Sequence, residues 1–392
     1  MLDFSLSDEQ RMMRDAVRSF VDKKLMPLET DFLHEEREGR RGLTDEHERE
    51  LQLEAKKSGF WGLETPEEYG GADVGPIINS LIRMELGRTC IPFTFGGYAD
   101  NILFAANDSQ QQEYLIPTIE GRRISSFGAT EPGAGSDLRR MRTRAVRDGD
   151  DWIINGEKIF ITNGHAADFV MVFAVTDPEK GTDGGVTCFL VDRDMGYTSQ
   201  PIHAMGKMHH PPAVLSFQDV RVPHRNILGE EGWGFKLALQ WIGRGRFLIA
   251  SDAVGTSERL LQMAIEHAKN RVSMGHSIAD YQAIQWQIAD SHVEIEALKY
   301  LTLFSAWKAE NGQDPRHSAA VAKLVGGITV NQVVDRVLQI HGGMGYTKEL
   351  PIEWWYRDVR AWRIYEGTDE IQRRTIARNL LKGHVRLGTI GG

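Results

Sequence analysis

The chain has 392 residues, of which 41% are hydrophobic and 26% charged, and its formal net charge at pH 7 is −9. This length suffices for two or three domains, and the acidic balance argues against nucleic acid as the main partner. The two cysteines, Cys90 and Cys188, form no CxxC motif, which argues against structural zinc and against a disulfide framework. The opening "MLDFSLSDEQ" lacks the apolar core of a signal peptide, and no run of about 18 apolar residues could span a membrane. The sequence therefore predicts a soluble cytoplasmic protein.

The first third of the chain has the pattern of a helical domain. Ser7 and Gln10 have the spacing of a capping box, and the apolar residues after them recur at helical intervals. A second helix is predicted over residues 45–57, where Ser58-Gly59 ends it. Apolar helical patterns resume over residues 77–107.

Strand-like segments begin near residue 123. Three β-type runs between 143 and 163 are separated by Asp148-Gly149 and by Asn155-Gly156, and both dipeptides are strong hairpin signals. Further strand patterns cover residues 169–175, 186–192 and 213–222. The strands do not alternate with helices and no G-x-G-x-x-G occurs, so a Rossmann unit is excluded and a compact antiparallel β domain is predicted.

After about residue 231 the apolar period returns to that of long helices joined by short links, which is typical of a bundle. The order along the chain is therefore α, then β, then α. We expect an N-terminal α-helical domain over residues 1–122, a middle β domain over 123–230 and a C-terminal helical-bundle domain over 231–392.

Two motifs in the β region could bind a ligand. In "FGATEPGAGSD" (127–137) the small residues let a ligand approach the backbone, whose N–H groups can form an anion nest. A Gly-rich turn entering the sheet explains the same pattern. "FITNG" (160–164) offers an aromatic ring and a hydroxyl beside a planar group, and a strand end explains it equally well.

Two motifs in the last third are ambiguous in the same way. The arginine of "RVSMG" (271–275) could bridge a pyrophosphate, although most arginines at helix ends only favour the helix dipole. The "LQIHGGMGY" segment (338–346) could seat a nucleotide on bare glycine backbone, or it could simply end a helix.

Charged clusters give one sharper signal. In "RIYEGTDEIQRR" (363–374), Thr368 suits a helix cap and Asp369 and Glu370 suit the first turn, but Glu366 precedes the cap and fits no capping role.

The histidines at 203, 209 and 210 have no carboxylate at ligand spacing, so no metal is predicted. The arginines between 139 and 147 suit a solvated strand face or, less well, the phosphates of CoA.

The order and spacing of five motifs, "TEPGAGSD", "FITNG", "RVSMG", "QIHGGMGY" and "YEGTDEIQR", resemble those of the acyl-CoA dehydrogenase family. The segments "EEYGG" and "VRVPHRNILG" extend the resemblance over essentially the whole chain. It implies an α+β fold with an N-terminal α-helical domain, a middle antiparallel β domain and a C-terminal four-helix bundle. It also implies an FAD cofactor and a homotetramer that is a dimer of dimers.

The resemblance implies a reaction as well. Members remove the pro-R hydrogens from Cα and Cβ of an acyl-CoA thioester, which gives a trans-2-enoyl-CoA, and electrons pass to electron-transfer flavoprotein. Glu366 matches the catalytic base. The positions that match substrate contacts are Ser136, Gly243, Arg246, Tyr365 and Gly367. The positions that match cofactor contacts are Phe127, Ala129, Thr130, Gly135, Ser136, Phe160, Ile161, Thr162, Arg271, Ser273, Gln282, Gln339, Ile340, Gly342, Gly343, Thr368 and Glu370.

Two departures from the family pattern bear on the chemistry. Phe160 stands where many members have tryptophan, which keeps an aromatic wall without the indole N–H. Some branches place the base on the helix that here reads "GRGRF", and this chain has Gly245 at that position, which strengthens Glu366 as the base. An apolar pocket would raise the pKa of such a carboxylate and make it a better base.

Two other functions stay open on the sequence alone. An acyl-CoA oxidase would use oxygen, although such enzymes are usually longer and many end in a peroxisomal tripeptide, whereas this sequence ends in "GTIGG". A non-catalytic subunit that binds acyl-CoA or flavin would be expected to have lost part of the motif set. The acyl group itself is left open.

Overall fold

The structure is a computed structural model that describes residues 5–206, 209–385 and 387, with the side chains of residues 242–244 left out. By internal contacts the chain divides into two units, which we call the helical unit and the β-rich unit. The helical unit comprises Met1–Leu51, Val74–Thr94 and Arg244–Gly392, and the β-rich unit comprises Gln52–Asp73 and Phe95–Gly243. In the described residues no helix is both long and apolar enough to cross a membrane.

Twelve α-helices lie within the described residues, joined in places by short 3-10 and π-helical segments. The helices are α1 Asp8–Phe20, α2 Glu29–Arg37, α3 Asp45–Lys57, α4 Gly75–Leu86, α5 Asp108–Gln110, α6 Ile116–Ile119, α7 Gly234–Asn270, α8 Gln282–Glu310, α9 Arg316–His341, α10 Gly343–Tyr346, α11 Ile352–Asp358 and α12 Asp369–Leu381.

Local signals predict the first helices well. The capping box is confirmed, since the Ser7 hydroxyl accepts from the Gln10 N–H at 3.1 Å and the Gln10 side chain accepts from the Ser7 N–H at 3.0 Å. Helix α3 has the predicted bounds, residues 45–57. The prediction of helical structure through residue 107 was wrong, because α4 ends at Leu86. Pro92 and Gly97, which has a φ of +86°, follow in a stretch that no regular helix could accommodate.

The helical unit is built on long helices that pack side by side. Helix α9 packs against α8 and α12, and α4 packs against α8. Small residues let α9 approach α7 closely: a Cβ on Gly326 would lie 3.2 Å from the Cα of Ala250. This bundle carries the C-terminal segments that the sequence singled out.

The β-rich unit contains a seven-stranded sheet in the order β1-β4-β2-β3-β7-β6, with β5 also paired to β4. Its strands are β1 Ser125–Gly128, β2 Arg144–Asp148, β3 Asp151–Ile161, β4 Phe169–Val175, β5 Val186–Asp192, β6 Thr198–Pro201 and β7 Ala213–Pro223. Most pairings are antiparallel as predicted, but β1 and β2 each run parallel to β4. A separate two-stranded hairpin in the helical unit joins β8 Val272–Ser273 to β9 His276–Ser277.

One of the two predicted hairpin turns forms. Strands β2 and β3 pair antiparallel around Gly149, as predicted. The second prediction was wrong, because β3 continues through Asn155-Gly156 with a shift in register against β7. The Asn155 side chain bonds across to Asp219, accepting from its N–H at 2.9 Å. The dipeptide therefore forms a bulge inside one long strand.

Strand β4, "FVMVFAV", contributes side chains to an apolar core on each face of the sheet. Phe169, Met171 and Phe173 belong to one apolar cluster, which includes residues near 102–119, and Val170 and Val172 belong to the other. Because successive side chains of a strand point to opposite faces, a strand covered on both faces reads as a continuous apolar run.

Candidate active site

Glu366 lies in a strained turn that leads into α12. Its φ is +50° and that of the following Gly367 is +90°. A non-glycine residue held at positive φ costs about 1–3 kcal/mol and persists only where the surroundings enforce it, which is common at functional sites. Thr368 caps α12 as predicted, because its hydroxyl accepts from the Ile371 N–H at 3.3 Å.

Two buried side chains fix the carbonyl groups of this turn. Lys323 of α9 donates from its Nζ to the Gly367 oxygen at 2.6 Å. Gln372 of α12 donates from its Nε2 to the Gly367 oxygen at 3.0 Å and to the Glu366 oxygen at 3.1 Å. Both side chains are fully buried. A Cβ on Gly367 would lie 2.7 Å from the Gln372 Nε2 and would displace that side chain, and the φ of +90° also favours glycine.

On the other side, the Glu366 carboxylate lies against helix α7. A Cβ built on Gly245 would be 2.8 Å from the Cδ of Glu366 and would overlap its oxygens. Arg246, the next residue, is partly buried, and burial lowers the pKa of its guanidinium while Glu366 opposes that change. Its buried Nε has no hydrogen-bond partner among the described residues. The absence of a side chain at Gly245 therefore makes room for the Glu366 carboxylate.

Several charges surround the turn. Burial lowers the pKa of Lys323 to about 8, and the nearby Asp369 and Glu366 carboxylates oppose this decrease. Asp369 is buried and accepts from the Arg363 Nε at 2.7 Å. Charges of both signs thus lie near Glu366, which is itself partly buried.

The other predicted substrate and flavin contacts near this turn are less enclosed. Tyr365 is 36% exposed, and Glu370 is exposed in the first turn of α12, where hydrogen bonds from its own backbone and from Thr368 lower its pKa. Gly243 lies within α7, but its surroundings are outside the described residues.

In the β-rich unit the Gly-rich segment forms a tight turn. The backbones of Glu131 and Ala134 exchange hydrogen bonds of 3.1 and 3.0 Å. A Cβ on Gly133 or on Gly135 would meet nothing within 4 Å, so this backbone is open to a ligand. Ser136 is exposed beside it.

Two buried side chains, those of Glu131 and Lys158, hold the Gly-rich turn in place through hydrogen bonds. The Glu131 carboxylate accepts from the Lys158 Nζ at 2.8 Å and from the N–H groups of Arg142 and Thr143 at 2.6 and 3.0 Å. Lys158 is fully buried and also donates to the carbonyl oxygen of Ala129 at 3.4 Å. Burial lowers the pKa of Lys158 to about 8 although Glu131 opposes that decrease.

The ends of the Gly-rich segment are tied to other elements of the β-rich unit. The Phe127 ring stacks on Trp241, with centroids 4.1 Å apart and planes 9° from parallel. The Trp241 Nε1 donates to the partly buried Asp100 carboxylate at 2.7 Å, and the Thr130 carbonyl accepts from the Ile159 N–H at 2.9 Å. The Phe127 side chain is therefore already packed against protein, whereas Gly133 and Gly135 are not.

The "FITNG" segment presents an exposed aromatic ring. Phe160 is 62% exposed and has a φ of +59°, and Asn163 has a φ of +58°. Ile161 between them is buried, Thr162 is exposed, and the Thr162 carbonyl accepts from the Ser126 hydroxyl at 2.9 Å. An exposed ring on one strained residue, with a second strained residue three positions on, suits a surface that receives a planar group.

The remaining predicted cofactor positions lie at one end of the helical unit. His267 in the last turn of α7 and His341 at the end of α9 stack, with ring centroids 4.3 Å apart, and so bring the two helix ends together. The predicted positions that cluster there are exposed apart from Ile340, which is 6% exposed: Arg271, Ser273, Gln282, Gln339, Gly342 and Gly343. A Cβ on either of the two glycines would meet nothing within 4 Å.

Sequence reasoning missed four residues that shape these sites: Lys323, Gln372, Glu131 and Lys158. Lys323 had one available signal, because it is the single charge within the small and apolar run "AAVAKLVGG". Such a lysine on a helix face is seldom buried without a partner. The partners of the other three are visible only in three dimensions.

Comparisons with known proteins agree across the chain. Family models described as acyl-CoA dehydrogenase N-terminal, middle and C-terminal domains match residues 7–122, 126–220 and 232–381. The chain is 36% identical to (R)-benzylsuccinyl-CoA dehydrogenase of Thauera aromatica, over 97% of each chain. It is 34% identical to the caffeyl-CoA reductase–Etf complex subunit CarC of Acetobacterium woodii, over 96% of this chain and 99% of that one.

A solved structure of butyryl-CoA dehydrogenase from Megasphaera elsdenii matches with a TM-score of 0.85 and 34% identity, over 97% of this chain and 100% of that one. Members of the family are FAD-dependent flavoprotein oxidoreductases. With three consecutive domain models matched and relatives aligned over nearly their whole length, this chain belongs to the acyl-CoA dehydrogenase family.

Proposed function

We propose that the protein removes hydrogen from Cα and Cβ of an acyl-CoA thioester to give a trans-2-enoyl-CoA, and that Glu366 is the base that takes the α-proton. The observation that carries this proposal is the strained turn at Glu366. Its two carbonyl groups are held by Gln372 and Lys323 while its carboxylate lies over Gly245. A turn that holds a carboxylate in this way, at a cost in strain, is suited to catalysis.

The chemistry requires a base that is both oriented and poorly solvated. The α-proton of a thioester is a weak acid, so the developing enolate oxygen must be stabilised while the proton moves to the Glu366 carboxylate. We assign this role in part to the backbone N–H at Glu366–Gly367, which would donate to the thioester carbonyl. Gly367 has no side chain to obstruct a thioester there. Bound FAD supplies the acceptor for the hydride that leaves Cβ.

The residues present fit FAD. The open backbone of Gly133 and Gly135 and the exposed Phe160 ring suit the flavin end. The exposed Arg271 guanidinium and the bare Gly342-Gly343 backbone suit the pyrophosphate and adenosine end. We propose that all the predicted cofactor positions, Thr368 and Glu370 included, contact FAD, and that Ser136, Gly243, Arg246, Tyr365 and Gly367 contact the acyl-CoA.

We further propose a partner and an assembly. The name of the Acetobacterium relative includes an Etf complex, which supports electron-transfer flavoprotein as the acceptor. A homotetramer is supported by α8, where exposed apolar residues recur along one face: Trp286, Val293, Tyr300, Phe304 and Trp307. Contiguous exposed apolar surface of this kind usually marks a protein interface. Within each subunit we keep the three domains at 1–122, 123–230 and 231–392.

The decisive experiment is an anaerobic titration of the purified protein with short, medium, branched and aryl-substituted acyl-CoA thioesters, followed by the absorbance of the oxidised flavin. The aryl members are included because one relative is named a benzylsuccinyl-CoA dehydrogenase. Bleaching by one class names the substrate. If no thioester bleaches the flavin, the proposal is contradicted. If the reduced flavin is rapidly reoxidised once oxygen is admitted, the protein is an oxidase.

The base is tested with Glu366→Gln, which keeps the size of the side chain and removes its basicity. Turnover should fall by about 10³-fold or more, while FAD content and acyl-CoA binding stay normal. Glu113→Gln, an exposed residue of the β-rich unit, is the matched control and should keep full turnover. Near-normal turnover in Glu366→Gln would sink the assignment.

A further inference from the structure

We propose that the substrate is an acyl-CoA whose acyl group carries a hydroxyl about six carbon–carbon bonds beyond Cα, and that the ion pair between Arg83 and Asp252 binds this hydroxyl. The inference rests on the proposed function, because Glu366 is taken to mark the place of Cα. It names a substrate class for the acyl group that the proposed function leaves open.

Helix α7 places Asp252 on the same face as the base. The Glu366 carboxylate lies against Gly245, where an added Cβ would be 2.8 Å from its Cδ. Asp252 follows Gly245 by two helical turns, so the two residues share one face of α7 and are roughly 10 Å apart along its axis. Side chains of a helix lean toward its N-terminus, which brings the Asp252 carboxylate nearer to Glu366. An acyl chain that starts at Glu366 and follows this face of α7 reaches Asp252.

Arg83 meets Asp252 from helix α4. The Arg83 guanidinium donates to the Asp252 carboxylate at 2.5 Å. The two helices pack closely at this point, since a Cβ on Gly87 would lie 2.7 Å from the carbonyl oxygen of Asp252. The ion pair, which we call the Arg83–Asp252 pair, is therefore held at a fixed place along α7.

The Arg83–Asp252 pair is accessible although the helices around it are not. Residues 78–86 of α4 and 250–257 of α7 are buried apart from Arg83 and Asp252. The side chains of these two residues remain 27% and 17% exposed. Because both helix segments are otherwise covered, the exposed surface of the pair belongs to a recess between elements of the helical unit.

Tyr365 joins this recess to the base. Burial raises the pKa of Tyr365 well above its usual value, the carboxylates of Asp358, Asp252 and Glu366 raise it further, and Arg83 lowers it. The side chain is nevertheless 36% exposed. A phenol that is surrounded by protein and still accessible lines a recess. Its charged neighbours include both the base and the Arg83–Asp252 pair, so the recess extends from one to the other.

The chemistry of the Arg83–Asp252 pair favours a hydroxyl. A guanidinium offers N–H donors and a carboxylate offers acceptor oxygens, so a hydroxyl can accept from Arg83 while it donates to Asp252. A plain alkyl chain would displace water from the charged atoms without replacing its hydrogen bonds, which costs free energy. A carboxylate on the substrate would be repelled by Asp252.

The spacing along α7 sets the position of the hydroxyl on the chain. An extended chain gains about 1.2 Å per bond, as the peptide backbone does with about 3.5 Å for the three bonds of a residue. A gap of roughly 10 Å, shortened by the reach of the Asp252 side chain, corresponds to about six such bonds from Cα. The last carbon of an octanoyl group lies at that distance.

The test compares acyl groups of one length in the holoenzyme. Octanoyl-CoA, 8-hydroxyoctanoyl-CoA and the mono-CoA thioester of octanedioic acid are each supplied with an artificial electron acceptor, and kcat/KM is measured. We expect the hydroxylated thioester to exceed octanoyl-CoA by about tenfold or more, which is the effect of one hydrogen bond to a charged group.

Two double variants show whether the pair carries this preference. Arg83→Met/Asp252→Leu puts apolar side chains in place of the pair and should abolish the preference while octanoyl-CoA is used at least as well as before. Arg336→Met/Glu294→Leu is the matched control, because Arg336 of α9 bonds Glu294 of α8 at 2.7 and 2.8 Å in the same unit. It should leave the ratio of the two kcat/KM values unchanged. A purely structural role of the Arg83–Asp252 pair would lower the amount of folded enzyme in both variants and change the ratio in neither.

Equal use of octanoyl-CoA and its 8-hydroxy derivative by the wild type would overturn the inference. A preference for the octanedioyl thioester would overturn it as well, and so would a flavin that other acyl-CoA thioesters bleach but none of these three does. An unchanged ratio in Arg83→Met/Asp252→Leu would reject the pair as the binding group. If that variant does not fold, Asp252→Asn keeps the size of the side chain, weakens the acceptor and should reduce the preference. Failure of every acyl-CoA to bleach the flavin would instead reject the proposed function.

Discussion

Each of the two units holds a loop with predicted site residues and a buried lysine, and the two lysines differ in their partners. In the β-rich unit Lys158 lies 2.8 Å from the Glu131 carboxylate, and the pair anchors the Gly-rich turn. In the helical unit Lys323 donates to the Gly367 carbonyl and has no carboxylate within 4.0 Å in the described residues. Burial lowers the pKa of both lysines to about 8.

The two lysines therefore differ in how their charge is neutralised. The Glu131 carboxylate pairs with Lys158 and also accepts from two backbone N–H groups, so its charge is largely neutralised by these neighbours. Within the described residues Lys323 donates to a neutral carbonyl, and the nearby Asp369 and Glu366 carboxylates favour its charged form without pairing with it directly. Similar burial thus accompanies an ion pair in one unit and a hydrogen bond to a carbonyl oxygen in the other.

The largest effect is expected when the Lys158–Glu131 ion pair is broken. Lys158→Met leaves the Glu131 carboxylate buried without its cation, and removal of one partner of such a pair costs about 3–5 kcal/mol of folding stability. Lys323→Met at pH 7 should cost about 1 kcal/mol or less, because the Gly367 carbonyl keeps its bond to Gln372. Urea denaturation of both variants measures the contrast.

The double variant Lys158→Met/Glu131→Gln is the control for this mechanism. A neutral amide in place of the carboxylate should recover about half of the loss, since the uncompensated charge is gone while two backbone donors keep one acceptor. Equal costs for Lys158→Met and Lys323→Met would show that the two lysines are not distinguished by their partners.

A second prediction uses the pH dependence of stability. The pKa of Lys323 is about 8 in the folded protein and 10.5 as its ordinary value. Between these two values the unfolded chain holds a proton that the folded chain has released. The stability of the wild type relative to Lys323→Met should therefore rise with pH through this window, by about 3 kcal/mol in all. Denaturation curves at pH 7, 8, 9 and 10 test this, and a difference that stays flat would contradict it.

The sequence predicts those parts of the fold that depend on neighbouring residues. The Ser7 capping box, the bounds of α3 and the Thr368 cap all follow from side chains within a few positions of the backbone they bond. Strand β4 likewise follows from the local β-type run at residues 169–175. The family resemblance then supplied the position of Glu366.

Distant partners explain what could not be predicted. Asn155-Gly156 has the composition of a hairpin turn, but Asp219, 64 residues away, makes it a bulge. Lys323 is 44 residues from the carbonyl that it bonds, so neither its burial nor its direction follows from the helix that carries it. The turn at Glu366 is likewise held in part from outside its own segment, since Lys323 bonds the Gly367 carbonyl, although Gln372 of the same segment bonds the Glu366 carbonyl.

A third prediction concerns the space that Gly245 leaves for Glu366 in the helical unit. In Gly245→Ala the new Cβ would occupy the place of the carboxylate, whose Cδ lies 2.8 Å away, and would push the base aside. We expect kcat to fall about 10–100-fold, as small misplacements of reacting groups do. The free energy of unfolding should not decrease, because alanine favours a helix over glycine by up to about 1 kcal/mol. A normal kcat would show that the carboxylate can move without consequence.

The smallest effect is expected for the corresponding glycine substitution in the β-rich unit, Gly135→Ala. The Cβ position of Gly245 is filled by the chain itself, whereas that of Gly135 is open, and we propose that FAD approaches the backbone there. Gly135→Ala should therefore leave the melting temperature of the apoprotein unchanged and weaken FAD binding about tenfold, or about 1.4 kcal/mol. Fluorescence titration of the apoprotein with FAD gives the dissociation constant. An unchanged constant would mean that the open glycine backbone does not face the cofactor, and the Gly-rich turn would then have only the structural role that its buried Lys158–Glu131 anchor already explains.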